Sequence, residues 1–215
     1  MPAYFNLTVQ FLRQDLKPLF VKEFHQVLEQ AGLHFKCGCW NAEADSQEAI
    51  MEWNQNLLEQ DFDLGETESY LNDYKQVLFQ YGGYREVRGF WMNRYPEDEN
   101  FSFEIIVPES EVLELTDTTF FNESRIRGWV ECARIIWLFE PVKSIQTGLE
   151  LSDAPTGTKE MEQGREPLAF PFAVIGGQLS GVVDRNFYKI KEVERGGIIV
   201  ETKDIKKWYP PKEEE

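Results

Sequence analysis

Apolar and polar positions alternate from Tyr4 to Leu12. Phe5, Leu7, Val9 and Phe11 face one way and Asn6, Thr8 and Gln10 the other, which predicts a strand. The pattern then changes to helical spacing. Leu16, Leu19, Phe20, Val27, Leu28 and Ala31 predict a helix over 15–31, with Asp15 as N-cap, Pro18 in the first turn and Gly32 as the stop. A short strand over 34–40 follows. A second helix is predicted over 46–60, and a third over 67–81 from Tyr70, Tyr74, Val77, Leu78 and Tyr81, closed by Gly82-Gly83.

Residues 84–95 and 101–107 read as strands joined by a turn at 96–100. Ile126, Trp129, Val130, Ala133, Ile136 and Trp137 predict a buried helix over 123–139. A strand over 142–151 follows, then an aperiodic segment, 152–167, of the length that carries function or mobility. Short apolar stretches fill 168–183, and a closing hairpin, 187–193 and 197–202, turns at Arg195-Gly196. The order of elements predicts an α+β fold, mainly antiparallel, with helices packed on the sheet. It holds two ferredoxin-like half-units, β-α-β and then β-β-α-β. One domain is expected over 1–209, with a subdivision point near 152–167 and a charged tail at 210–215.

Charge changes this picture most. Between Cys37 and Tyr74 there are ten carboxylates and no Lys or Arg, in a chain of net charge −16. At helical spacing Glu48, Glu52 and Glu59 fall within about 40° of one another, opposite Ile50, Trp53 and Leu57. The second helix is therefore expected to bury an apolar stripe and present an acidic one. Together with Asp61 and Asp63, the three glutamates are the candidate partner-binding residues. Trp40, Trp53, Phe62, Tyr70 and Tyr74 are interleaved with them as candidate anchors. Such a surface attracts a basic protein and repels nucleic acid and anionic lipid. Its general type is that of an immunity protein or antitoxin, a compact acidic inhibitor that neutralises a basic toxin or nuclease, although no motif is shared.

The remaining chemistry is thin. His34, Cys37 and Cys39 resemble half a metal site, but on a strand His34 points away from the two thiols and a zinc site wants four ligands, so no metal is expected. Cys132 lies mid-helix among apolar residues, where a thiol is not activated. The acids of 61–66 fail the calcium-loop pattern, and Gly176-Gly177 is followed by Val182-Val183 where a dinucleotide site needs a helix. No catalytic residue and no cofactor is predicted. The alternative function is a small-molecule binder or enzyme. Its pocket would lie between sheet and helices, lined by Tyr84, Arg85, Arg88, Glu131 and Arg134 and lidded by 152–167. Three cysteines, no secretory pattern in 1–10 and no long apolar run predict a cytoplasmic protein without a membrane span.

Overall fold

The computed structural model describes residues 3–62, 73–93, 99–115 and 119–203. β1 (Tyr4–Leu12) is the central strand. Its odd side chains are buried under helices, and its even ones face the other side of the sheet. Then come α1 (Phe20–Gln30), β2 (His34–Gly38), α2 (Gln47–Glu59), β3 (Val77–Gln80), β4 (Arg88–Met92) and β5 (Asn100–Pro108). A small hairpin, β6 (Leu113–Leu115) and β7 (Thr119–Phe121), precedes α3 (Glu123–Trp137) and β8 (Val142–Leu149). The last described elements are α4 (Thr158–Glu162), β9 (Phe172–Gly176), β10 (Tyr188–Val193) and β11 (Gly197–Thr202).

Nine strands form one sheet in the order β10-β11-β9-β8-β1-β5-β4-β3-β2, and every neighbouring pair is antiparallel. The fold is thus α+β with a large antiparallel sheet. Its two crossovers differ in width. β5-α3-β8 brackets β1 alone, as a split β-α-β does, whereas β1-α1-β2 spans three intervening strands.

One face of the sheet carries the main core. Phe11, Phe20, Phe24, Trp91, Phe101 and Phe103 meet there, with ring centroids 4.9–6.1 Å apart in mostly edge-on or tilted pairs. On the opposite face a smaller apolar cluster sits under α4 and the 3-10 segment Gly177–Val182: Met161, Ala173, Ile175, Ile198 and Val200. A buried polar strip runs beside the smaller cluster on the same face. Thr8 and Ser102 donate to Glu104 at 2.6 and 2.7 Å, and Ser144 donates to Gln10 at 2.5 Å.

Several expectations are corrected. α1 begins at Phe20, not Asp15. Pro18 disfavours helical geometry at Lys17, and residues 13–15 instead make a 3-10 turn in which Asp15 pairs with Lys143 at 2.8 Å. The expected third helix gives way over Val77–Gln80 to a strand. There Val77 and Phe79 are buried while Gln80 is exposed, so pairing with β2 and β4 overrides a coincidental helical spacing. The part of that helix over 67–72 lies outside the described residues, as does most of the turn expected at 96–100. Segment 152–167 contains α4, and the β6–β7 hairpin was not anticipated.

Candidate functional site

Ser46 caps α2 by accepting a bond from Ala49 N–H at 3.2 Å, and Glu48 complements the helix N-terminus. Ile50, Asn54 and Leu58 are buried, and Trp53 and Leu57 are half-buried. Glu48, Glu52 and Glu59 are exposed, on the side the spacing assigns them. The helix is pinned from beneath. The Asn54 amide donates to Lys75 O at 2.9 Å and accepts from Lys75 N–H at 2.8 Å, while Trp53 Nε1 donates to Asp73 O at 3.1 Å.

The carboxylates of this segment divide into two groups. Asp45 is held by Lys75 at 2.6 Å, with the same ammonium 4.7 Å from the centre of the Trp53 ring. Asp61 pairs with Arg13, which also donates to Leu58 O at the end of α2 and to Asn93. Both serve the molecule's own packing. Among the described residues, no Lys or Arg pairs with Glu48, Glu52 or Glu59; Glu59 instead accepts from Gln55 at 2.7 Å. Asp63 lies outside the described residues.

Of the interleaved aromatics, Tyr74 and Phe62 pack on each other, and Tyr70 lies outside the described residues. Trp40 does the opposite. It is 62% exposed, and its backbone is left-handed at φ 62°, a costly conformation for a bulky residue. It stands on the rim of a depression of about 150 Å³ that is also lined by Asp73, Gln76 and Trp91. Asp73 Oδ1 and Gln76 Oε1 are buried acceptors there without a donor among the described residues.

The polar set expected to line a pocket is dispersed. Arg85 reaches Glu111 at 2.8 Å, and Arg88 reaches Glu86 at 2.8 Å while covering the Tyr4 ring. Arg134 bridges Glu131 and Glu194 at 3.0 and 2.8 Å. Tyr84 stacks on Tyr81 beneath Arg125, and burial pushes its phenol up to about 12. None of these five lines the cavity beside segment 152–167, the depression at Trp40 or the cleft at His25 and His34. The arginines find carboxylates within the chain, so no shared anion site forms. Among the described residues, no three His, Cys, Asp or Glu gather as metal ligands. Cys132 is buried, and its thiol is pushed up to about 12 by desolvation.

The cavity beside segment 152–167, about 740 Å³, lies beyond the ends of β8, β10 and β11 and is walled by that segment. It is not between the sheet and α1–α3. What builds it is Gln146 on β8, a polar strand residue whose role the sequence did not signal. Its amide accepts from the N–H groups of Thr156 at 3.0 Å and Leu168 at 2.7 Å, so it ties down both limbs of the segment.

No family model matches the chain, and no curated protein matches it. Among solved structures the chain is similar to Pseudomonas aeruginosa T6SS protein PA0821, with 10% identity and a TM-score of 0.39 over 93% of this chain and 65% of that one. The chain therefore spans about two-thirds of that structure's length. No helix among the described residues is long and apolar enough to cross a membrane.

Proposed function

We propose that this chain is a binding protein that recognises a basic protein partner through the exposed face of α2, as an inhibitor of immunity or antitoxin type does. The observation that carries this reading is the division of labour among the carboxylates. Asp45 and Asp61 are engaged internally, whereas Glu48, Glu52 and Glu59 form a one-sign stripe facing solvent. Charge of one sign on a rigid helix steers an oppositely charged protein and selects against nucleic acid. Trp40, near the start of the same acidic segment, supplies an exposed aromatic anchor beside acceptors that a Lys or Arg side chain could satisfy.

The test is capture from the native host's lysate at low and high salt. Wild type is compared with Glu48→Gln/Glu52→Gln/Glu59→Gln and with Trp40→Ala. A basic protein retained by wild type, released by salt and lost by both variants is the expected result. Equal recovery by all three proteins at both salt levels would reduce the acidic face to simple solvation.

A further inference from the structure

We propose that the cavity beside segment 152–167 is a binding site for a small organic cation with an apolar body, such as an alkyl amine. Its volume of about 740 Å³ falls within the range of small-molecule sites. Its walls include Leu113, Leu149, Leu168 and Phe170, which would cover an apolar chain. Leu151 stands at the mouth with 91% of its surface in solvent, an apolar group with no cover of its own.

Carboxylates outnumber cations in the cavity lining. Glu109, Asp153 and Glu166 line it. Among the described lining residues the one basic side chain, Arg165, is drawn off to Glu160 at 2.6 Å. Among the described residues no Lys or Arg pairs with Glu109. Partial burial raises its carboxyl above the ordinary range, and the nearby charge of Glu150 raises it further, against a backbone bond that lowers it. A half-desolvated carboxylate facing a second carboxylate is relieved by an incoming cation and opposed by an incoming anion. Neutral apolar ligands gain the walls but not this attraction. The site is separate from the α2 face and shares no residue with it.

Calorimetric titration with octylamine, 1-octanol and octanoate, each below its micellar concentration, tests the assignment. Octylamine should bind once per chain, 1-octanol about tenfold more weakly or worse, and octanoate not measurably. Glu109→Gln should weaken octylamine about tenfold and leave 1-octanol unchanged. Ala154→Trp places bulk at an exposed position of the cavity lining, so it should abolish octylamine binding with circular dichroism unchanged. The Glu48/Glu52/Glu59 triple Gln variant should bind octylamine like wild type, which separates this site from the acidic helix. The proposal is overturned by octanoate binding as tightly as octylamine, by undiminished octylamine binding in Ala154→Trp, by loss of octylamine binding in the triple variant, or by no binding of any of the three probes.

Discussion

Gln146 and Thr156 exchange two hydrogen bonds: Gln146 Nε2 donates to Thr156 O at 2.8 Å, and Thr156 N–H donates to Gln146 Oε1 at 3.0 Å. A side-chain amide thus does for an irregular segment what a neighbouring strand does in a ladder. Both residues are buried, so each backbone group here would be left without a partner if the amide were removed.

Gln146→Leu keeps the approximate volume and deletes five hydrogen-bonding contacts, including those to Gln10, Ser144 and Leu168. Leaving the Thr156 and Leu168 groups unsatisfied should cost about 2–4 kcal/mol in urea unfolding. Hydrogen exchange should accelerate in 152–168 well before it does in β1 or α3. A uniform loss of protection across the sheet would show that the segment is part of the global unit instead of a tied-down flap.

His25 is 3% exposed, and among the described residues neither ring nitrogen has a partner. It lies against Phe79 and Phe103, with centroids 6.3 and 6.1 Å away. Burial lowers its pKa to about 4 from an unfolded value of 6.5. The unfolded chain therefore binds the proton first as pH falls. This contribution to stability is fully present above pH 6.5 and is lost on descending toward pH 4. Its full size is about 3 kcal/mol by linkage. His25→Phe should remove that part of the acid sensitivity. The measurable sign is a smaller drop in unfolding free energy between pH 7 and pH 4.5 than wild type shows. Parallel pH profiles for the two proteins would refute it.

Trp137 and Arg195 close the far end of the molecule. The guanidinium lies 4.2 Å from the Trp137 ring centre. It donates to the carbonyls of Trp137, Phe139 and Val142, past the C-terminus of α3 where acceptors are left over. Trp137 is buried, and its Nε1 donates to Glu194 O at 3.0 Å. Trp137→Ala should cost roughly 3–5 kcal/mol as a large core truncation. Arg195→Lys should cost about 1–3 kcal/mol, because a single ammonium cannot span the three carbonyls that a planar fork reaches. Equal stability of Arg195→Lys and wild type in chemical denaturation would show that the cap is not energetically important.

Much of this architecture is legible in the sequence where a single period governs a segment. β1 alternates cleanly, α2 separates its stripes, and Arg195-Gly196 carries the paired positive φ values, 58° and 64°, that a tight hairpin turn requires. Val77–Gln80 was misleading because tyrosines at helical spacing preceded it, and only pairing with β2 and β4 decides for a strand. The acidic face was legible because charge and period coincide in α2. The cavity was not. Its lining comes from several separate stretches of chain, and Gln146 reads as an ordinary polar strand residue until Thr156 and Leu168 are brought to it. The arginines offered as pocket residues pair within the chain instead, and which carboxylates they meet, such as Glu111 and Glu194, is hidden in the sequence because these partners are distant along it.

The stripe on α2 has a consequence that can be measured without knowing the partner. Glu48 and Glu52 are four residues apart, and like charges at that spacing are mildly unfavourable. Glu59 occupies the last turn, where the helix end already carries partial negative charge. Glu48 alone sits where the dipole favours it. Replacing all three with Gln removes two unfavourable terms and one favourable one, and the amide oxygen then at position 59 still offers an acceptor to Gln55. Folding stability should therefore stay within about half a kcal/mol of wild type. In the same experiment, raising salt from low to high concentration should stabilise wild type more than the variant, because screening acts on the repulsion that the variant lacks. Thermal unfolding at both ionic strengths, on both proteins, gives the comparison. A variant that loses several kcal/mol would mean that these glutamates hold α2 in place, and the face could then no longer be assigned to recognition.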